Sequence, residues 1–242
     1  MGYEWQLIPI TEGIAPADTE LKRFIESFNN EVDRKYSTMI CKFQKTLTHP
    51  DRTIETELGN VFGDAFAQIA NCDVALVGSG SIRQKALGPL VTLKDFLACF
   101  PYDDSIGKFE IKGRQLKQIF CHIMRISNRQ DEGECYQVSG GVRAVYDNSD
   151  QKLKSLTVNN LAVEDENKYT ICLQGYHVNN CQKFLNISTE ELLASGTGGT
   201  VSSSCQQAME EYLKNHQNLV SQVEGRLAYL NIPSPTSPTK IR

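Results

Sequence analysis

The chain has 242 residues, 40% of them hydrophobic, and carries 25 basic against 29 acidic side chains for a formal net charge of -4. That length and apolar content sustain a proper core in one large domain or two small ones. The nearly balanced charge gives no electrostatic footprint for nucleic acid or an anionic membrane surface, so any bound anion has to be caught locally.

In chain order, Tyr3 to Ile10 reads as a single strand. Residues Asp18 to Lys35 then place Leu21, Phe24, Ile25 and Phe28 at helical spacing among charges. Leu58, Val61, Phe62, Ala65, Phe66 and Ile69 follow the i, i+3, i+4, i+7 rule and predict one face of a buried helix. The helix feeds a strand over Asp73 to Val77, which runs into the small-residue turn Gly78-Ser-Gly-Ser-Ile-Arg83. Such a turn either simply reverses the chain or lets backbone N–H groups close on an anion, with Arg83 as a planar fork. It is not a dinucleotide fingerprint, because the third glycine would fall on Arg83, and no Gly-Lys-Ser/Thr follows to make a P-loop. A Rossmann-like redox domain is therefore disfavoured.

Thr92 and Asp95 form a capping-box pattern for a short helix that Pro101 ends. Lys108 to Ile111 predicts a strand, and Gly113 opens a helix carrying Leu116, Ile119, Phe120 and Ile123. Tyr136 to Tyr146 reads as two strands about Ser139-Gly140-Gly141, with further strands at Leu153 to Val158, Tyr169 to Leu173 and Val223 to Tyr229. A last helix is expected over Ser204 to Asn215. The Pro/Ser/Thr-rich segment 232–242 is expected to be disordered.

No apolar run approaches the roughly 18 to 20 residues that span a bilayer, and the N-terminus lacks a signal-peptide pattern. The eight cysteines are scattered singly, with no Cys-x-x-Cys pair, and Cys99, Cys121 and Cys172 sit in apolar patterns. They read as reduced thiols, which favours a cytoplasmic setting. The four histidines lie far apart, His122 reading as a surface or core residue, and no metal motif occurs. No cofactor is expected on this chain.

Five motifs in series carry a resemblance: Glu57-Leu-Gly-Asn60 with Asp64-Ala65; Asp73 to Arg83; Phe100-Pro101-Tyr102; Tyr136-Gln-Val-Ser-Gly-Gly141 with Tyr146-Asp147; and Val223-Glu-Gly-Arg226. In that order and spacing, over about residues 50 to 230, the chain resembles the C-terminal domain of 5'-nucleotidases. The resemblance implies an α/β (α+β) fold, a layered mixed sheet with helices. It divides the chain into residues 1–45, the end strand of a preceding domain plus a linker helix, then the domain proper at 46–231, and the tail.

In that family the divalent metal pair and the transition-state residues belong to a covalently linked N-terminal metallophosphoesterase domain. The chain looks like an excised C-terminal piece, expected to hold no catalytic residue and to hydrolyse nothing alone. Its implied role is to bind a nucleotide or nucleoside substrate, with no nucleic acid and no membrane segment involved. Arg52 and Arg83 match the family's substrate arginines, and Tyr102 and Tyr176 match the aromatics that hold the base. Read without the resemblance, these two tyrosines are core-edge aromatics. Gly78 stands where the family has Asn, and Gln182 lies in Asn180-Cys181-Gln182-Lys183, where a Gly-Gly-Asp-Gly turn is expected. Asp103 and Asp104 follow Tyr102 where small residues are usual, and free carboxylates there would repel a phosphate.

These departures keep open a second reading, a degenerate nucleotide-sensing or interaction module. The family's members are often exported, which conflicts with the cytoplasmic lean of the cysteines.

Overall fold

A computed structural model describes residues 3–130 and 133–232, so the tail expected to be disordered lies, from residue 233 on, outside the described residues. The chain divides into two compact units, Met1–Thr38 and Met39–Arg242. In the first, helix α1 (Thr19–Tyr36) begins where the Asp18 carboxylate accepts from the Glu20 and Leu21 amides at 2.9 and 3.0 Å. That cap satisfies donors which the first turn leaves over. Tyr3 to Ile10 is not the strand its sequence predicts. Strands are held by a neighbour's ladder, and among the described residues nothing pairs with this segment, whose Tyr3, Trp5 and Leu7 are each at least 83% exposed.

The second unit opens with two short strands, β1 (Met39–Lys42) and β2 (Leu47–Thr48), before helix α2 (Glu57–Ala70), capped by Thr56. Next come β3 (Val74–Gly78), a single 3-10 turn at Ser79–Ser81, then β4 (Ala86–Leu87) and β5 (Leu90–Thr92). Helix α3 (Leu93–Cys99) starts at the expected Thr92/Asp95 capping box, with both reciprocal bonds formed. Strand β6 (Ile106–Lys112) leads into α4 (Gly113–Ile123) and the short α5 (Ile126–Gln130). Five strands follow: β7 (Tyr136–Val138), β8 (Val142–Asp147), β9 (Lys152–Val158), β10 (Leu161–Ala162) and β11 (Lys168–Gln174). The unit closes with α6 (Gly175–Asn179), α7 (Cys181–Leu185), α8 (Thr189–Leu193), β12 (Gly199–Ser202), α9 (Cys205–Asn215) and β13 (Leu227–Leu230).

The central sheet is mixed, ordered β12-β6-β11-β3-β7, with only β11 and β3 parallel. Every residue of β3 is buried, as expected of an inner strand covered on both faces. Asp73 sets its register against β11, its Oδ2 accepting from the Thr170 amide and hydroxyl at 2.7 Å each. Helix α2 lies against β3 and β7; a Cβ on Gly63 would come within 2.7 Å of the Val138 carbonyl oxygen, so the close approach requires glycine there. The other face packs Val74, Leu76, Phe109 and Ile111 against Leu116, Ile119 and Phe120 of α4. This core continues into a second sheet, ordered β10-β9-β8-β13.

The two strands about Ser139–Gly141 therefore do not form a hairpin, since β7 joins the central sheet and β8 the second. Val223 to Arg226 is not strand either, and β13 begins at Leu227. Gly225 turns the chain with φ of +72°, and Arg226 points inward, 2% exposed, with Nη1 and Nη2 on Asp64 Oδ1 and Oδ2 at 2.7 and 2.9 Å. Nη1 also donates to the Val138 carbonyl at 2.8 Å. This forked ion pair joins α2, the end of β7 and the C-terminal segment, where the first and last of the sequence motifs meet.

Candidate functional site

The carboxyl end of β3 is the organising point. The turn after it is pinned from below by buried side chains. Gln137 on β7 donates from Nε2 to Ser79 Oγ at 3.0 Å and the Ile54 carbonyl at 2.8 Å, and its Oε1 accepts the Thr56 amide at 3.1 Å. The Thr56 hydroxyl accepts from Gly59 N at 3.0 Å and lies 2.8 Å from His49 Nδ1, and because the Ser79 carbonyl beside His49 Nε2 can only accept, the ring proton is on Nε2 and the hydroxyl donates to Nδ1. His49 is then the Nε2–H tautomer and donates to the Ser79 carbonyl at 3.2 Å. Burial holds its pKa below the ordinary value, in keeping with a neutral ring. These bonds fix the loop carrying Arg52 against the turn carrying Arg83. Arg52 Nη2 donates to the Gly133 carbonyl at 2.6 Å, and Arg83 N to the Cys99 carbonyl at 2.7 Å.

A second scaffold holds Tyr102. Phe100, fully buried, packs its ring on Phe62 and Phe66 of α2 at centroid distances of 4.9 and 6.2 Å, two residues before Tyr102. Asp103 and Asp104, expected from sequence to stand as free repelling charges, are instead engaged by backbone. Asp103 Oδ1 accepts from Ser204 Oγ at 2.8 Å and Gln206 N at 3.2 Å, at the start of α9. Asp104 Oδ1 accepts from Ser105 N at 2.7 Å, and its Oδ2 accepts the Tyr176 amide at the start of α6. One carboxylate thus ties the loop of Tyr102 to the helix of Tyr176.

These supports converge on a cavity of about 410 Å³ lined by Arg52, Arg83, Tyr102 and Tyr176. The two tyrosines are 53% and 54% exposed, and the Arg83 guanidinium carbon lies 5.9 Å from the Tyr102 ring centroid. A recess of about 170 Å³ shares Arg52 and Arg83 and adds Lys85. A wider cleft of about 620 Å³ lies beside Asp64 and Arg226, but its principal charges already satisfy one another.

The same cavity includes residues that sequence reading missed: Ser81, Glu134, Gln174 and His177. Gln174 and His177 flank Tyr176 in sequence, whereas Glu134 has no local signal and arrives only because β7 pairs with β3. Burial raises the Glu134 pKa, with Arg52 and the Gly80 amide opposing. His177 is 2% exposed, its Nε2 3.9 Å from Glu134 Oε1, and among the described residues its Nδ1 has no partner. Burial pushes its pKa down to about 4, so the ring is neutral at pH 7.

Two of the expected residues lie elsewhere. Gly78 is buried beneath the cavity, and a Cβ there would meet His177 Cε1 at 2.3 Å; the histidine fills the space a side chain at 78 would need. Gln182 is exposed on α7, outside the cavity lining. Its segment forms a helix rather than a turn, with Asn180 Nδ2 donating to the Tyr176 carbonyl at 2.8 Å.

Among the described residues no group of three or more His, Cys, Asp or Glu is placed to hold a metal ion, and no helix is long and apolar enough to cross a membrane. The eight thiols are unpaired, and burial pushes Cys99 up to about 12 and Cys41, Cys135 and Cys205 to about 11. Thiols raised in this way are poor nucleophiles.

The family model described as 5'-nucleotidase, C-terminal domain, matches residues 37–188. A snake venom 5'-nucleotidase of Macrovipera lebetinus is 25% identical over 252 residues, covering 89% of this chain and 58% of that protein. In fold, the chain is similar to a 5'-nucleotidase precursor from Thermus thermophilus, with a TM-score of 0.70 at 19% identity, over 96% of this chain and 47% of that one. It is similar also to a Haemophilus influenzae NAD nucleotidase, with a TM-score of 0.69 at 14% identity, over 88% and 41%. The chain thus spans little more than half the length of the venom protein and less than half of either solved structure. A venom relative lends no support to the cytoplasmic setting suggested by the cysteines.

Proposed function

Since the chain belongs to the 5'-nucleotidase C-terminal domain family, we propose that it is the nucleotide-recognition part of a metal-dependent phosphoesterase acting on nucleoside monophosphates or related phosphoesters. The observation that carries this reading is one cavity holding two half-exposed tyrosines beside two arginines, drawn from four separate stretches of chain. Tyr102 and Tyr176 stack the base, and Arg52 and Arg83 offer planar donors to ribose and phosphate oxygens. With Asp103 and Asp104 engaged by backbone amides and Ser204, the repulsion expected of them is reduced.

Hydrolysis needs a group that polarises the phosphate and activates water, which a divalent metal pair supplies when bound. On this reading, which follows the family resemblance, that chemistry is assigned to an N-terminal metallophosphoesterase domain, and the part given to this chain is recognition of the nucleotide.

The test is phosphate release by the longer protein that joins both domains. The reading expects metal-dependent release from a nucleoside monophosphate, with KM raised by Arg83→Ala. No release from any nucleotide, with binding retained, would assign the chain instead to a non-catalytic nucleotide sensor.

A further inference from the structure

The polar floor of the cavity carries a donor and acceptor pattern that the base-stacking role leaves unused. Gln174, at the end of β11, is 2% exposed. Its Oε1 accepts from Gly78 N at 3.2 Å and from Ser81 Oγ at 3.3 Å. Because the Gly78 group is an N–H, the oxygen must face it, so the amide orientation is fixed and the Nε2 donors are the end left for a ligand. Glu134 converges on the same glycine: its Oε1 is 3.2 Å from where a Gly78 Cβ would stand. A fixed donor and a carboxylate therefore meet at the foot of β3, inside the cavity that Tyr102 and Tyr176 line.

Burial raises the Glu134 pKa, while the Arg52 charge and the Gly80 amide act the other way and favour the carboxylate, and His177, 3.9 Å from Glu134, is neutral at pH 7. Asp103 and Asp104 are spent on the amides and hydroxyl they cap.

We propose that Gln174 and Glu134 read the edge of the bound base and select 6-oxopurines, guanine above all: Gln174 Nε2 donates to O6, and the Glu134 carboxylate accepts from N1–H and the exocyclic N2–H. Hypoxanthine keeps O6 and N1–H but loses one donor. Uracil offers a carbonyl and an N–H but sets its second carbonyl against the carboxylate. Adenine reverses the pattern, bringing an amino group to Gln174 and a bare ring nitrogen to Glu134, and cytosine does the same. Mismatched polar groups in a buried site discriminate strongly, because each leaves a partner unpaired.

This inference rests on the base-holding role of the two tyrosines, and calorimetric titration of the full 242-residue chain with GMP, IMP, UMP and AMP separates the two. The expected order is GMP tightest and AMP weakest, apart by about tenfold or more, the scale of one good bidentate base contact. Glu134→Gln, which keeps the shape but can turn an amide N–H toward the adenine ring nitrogen, should weaken GMP and hold or strengthen AMP, bringing the two to within about threefold of each other. Equal affinities for GMP and AMP in the unsubstituted chain would overturn base selection without touching base stacking, and need no variant to fold. A GMP preference that survives Glu134→Gln would overturn the role of the carboxylate. Heat from none of the four nucleotides would remove the stacking role and this inference together.

Discussion

Replacing Gly78 with alanine tests the observation that His177 occupies the space above it. The Gly78 backbone has φ of -57°, a conformation any residue adopts, so a side chain there meets no backbone strain and the effect is purely steric. An added Cβ would stand 2.3 Å from His177 Cε1 and 2.8 Å from Nε2, against roughly 3.5 to 4.0 Å for ordinary contact. The ring would have to retreat by more than about 1 Å. It has little room, being 2% exposed and packed on Tyr136, Tyr176 and Phe184 at centroid distances of 5.0, 5.4 and 6.0 Å. Overpacking of this kind costs about 1 to 3 kcal/mol, while the smaller entropy of an unfolded alanine returns about 0.4 to 1 kcal/mol. Gly78→Ala should therefore destabilise by about 1 to 2 kcal/mol. In a His177→Ala background the same change should be neutral or stabilising. Urea midpoints of the four proteins give the coupling energy directly. Equal costs of Gly78→Ala in both backgrounds would refute the steric account.

Because burial holds His177 at about 4 against 6.5, the unfolded chain binds a proton that the folded chain refuses throughout that interval. Stability is complete above about pH 6.5 and falls as the pH drops to about 4, by at most about 3 kcal/mol at 1.36 kcal/mol per unit. His49, also lowered, acts in the same direction; His177→Phe should flatten the urea-stability profile over this range, and an unchanged slope contradicts the assignment. Asp64→Ala leaves the Arg226 guanidinium buried with Glu224 as its remaining carboxylate, 3.2 Å from Nε, and should cost about 3 kcal/mol; a loss under about 0.5 kcal/mol would show the pair to be dispensable. Phe100→Ala should cost about 3 to 5 kcal/mol in thermal or urea unfolding, and a surface-like loss would mean that its ring does not anchor the Tyr102 loop.

Local signals were the readable ones. The helical spacing of Leu21, Phe24, Ile25 and Phe28, the Thr92/Asp95 box and the apolar face of α2 depend on residues within a turn or two of each other, and the structure has each of these elements. Pairing was not readable, because it is set by distant partners. Tyr3 to Ile10 alternates like a strand but has no ladder among the described residues, while two-residue strands such as β2 and β4 exist through their pairing alone. Val223 to Arg226, expected as the start of a strand, is instead directed by the buried fork of Arg226 on Asp64, 162 residues away. The site divides in the same way. Arg52, Arg83, Tyr102 and Tyr176 line one cavity, whereas Glu134 comes from the loop just before β7 and His177 from α6, and their meeting over Gly78 is a product of sheet order. The absence of a side chain at 78, which from sequence is a lost contact, is in the structure the room that His177 fills.

The most direct test of the nucleotide-recognition account is GMP titrated calorimetrically into the chain and into its Tyr102→Ala/Tyr176→Ala double variant. Stacking worth about 1 to 3 kcal/mol per ring predicts saturable binding to the chain and a loss of at least about tenfold in affinity in the variant. A double variant that folds and binds GMP as tightly as the parent would contradict the account.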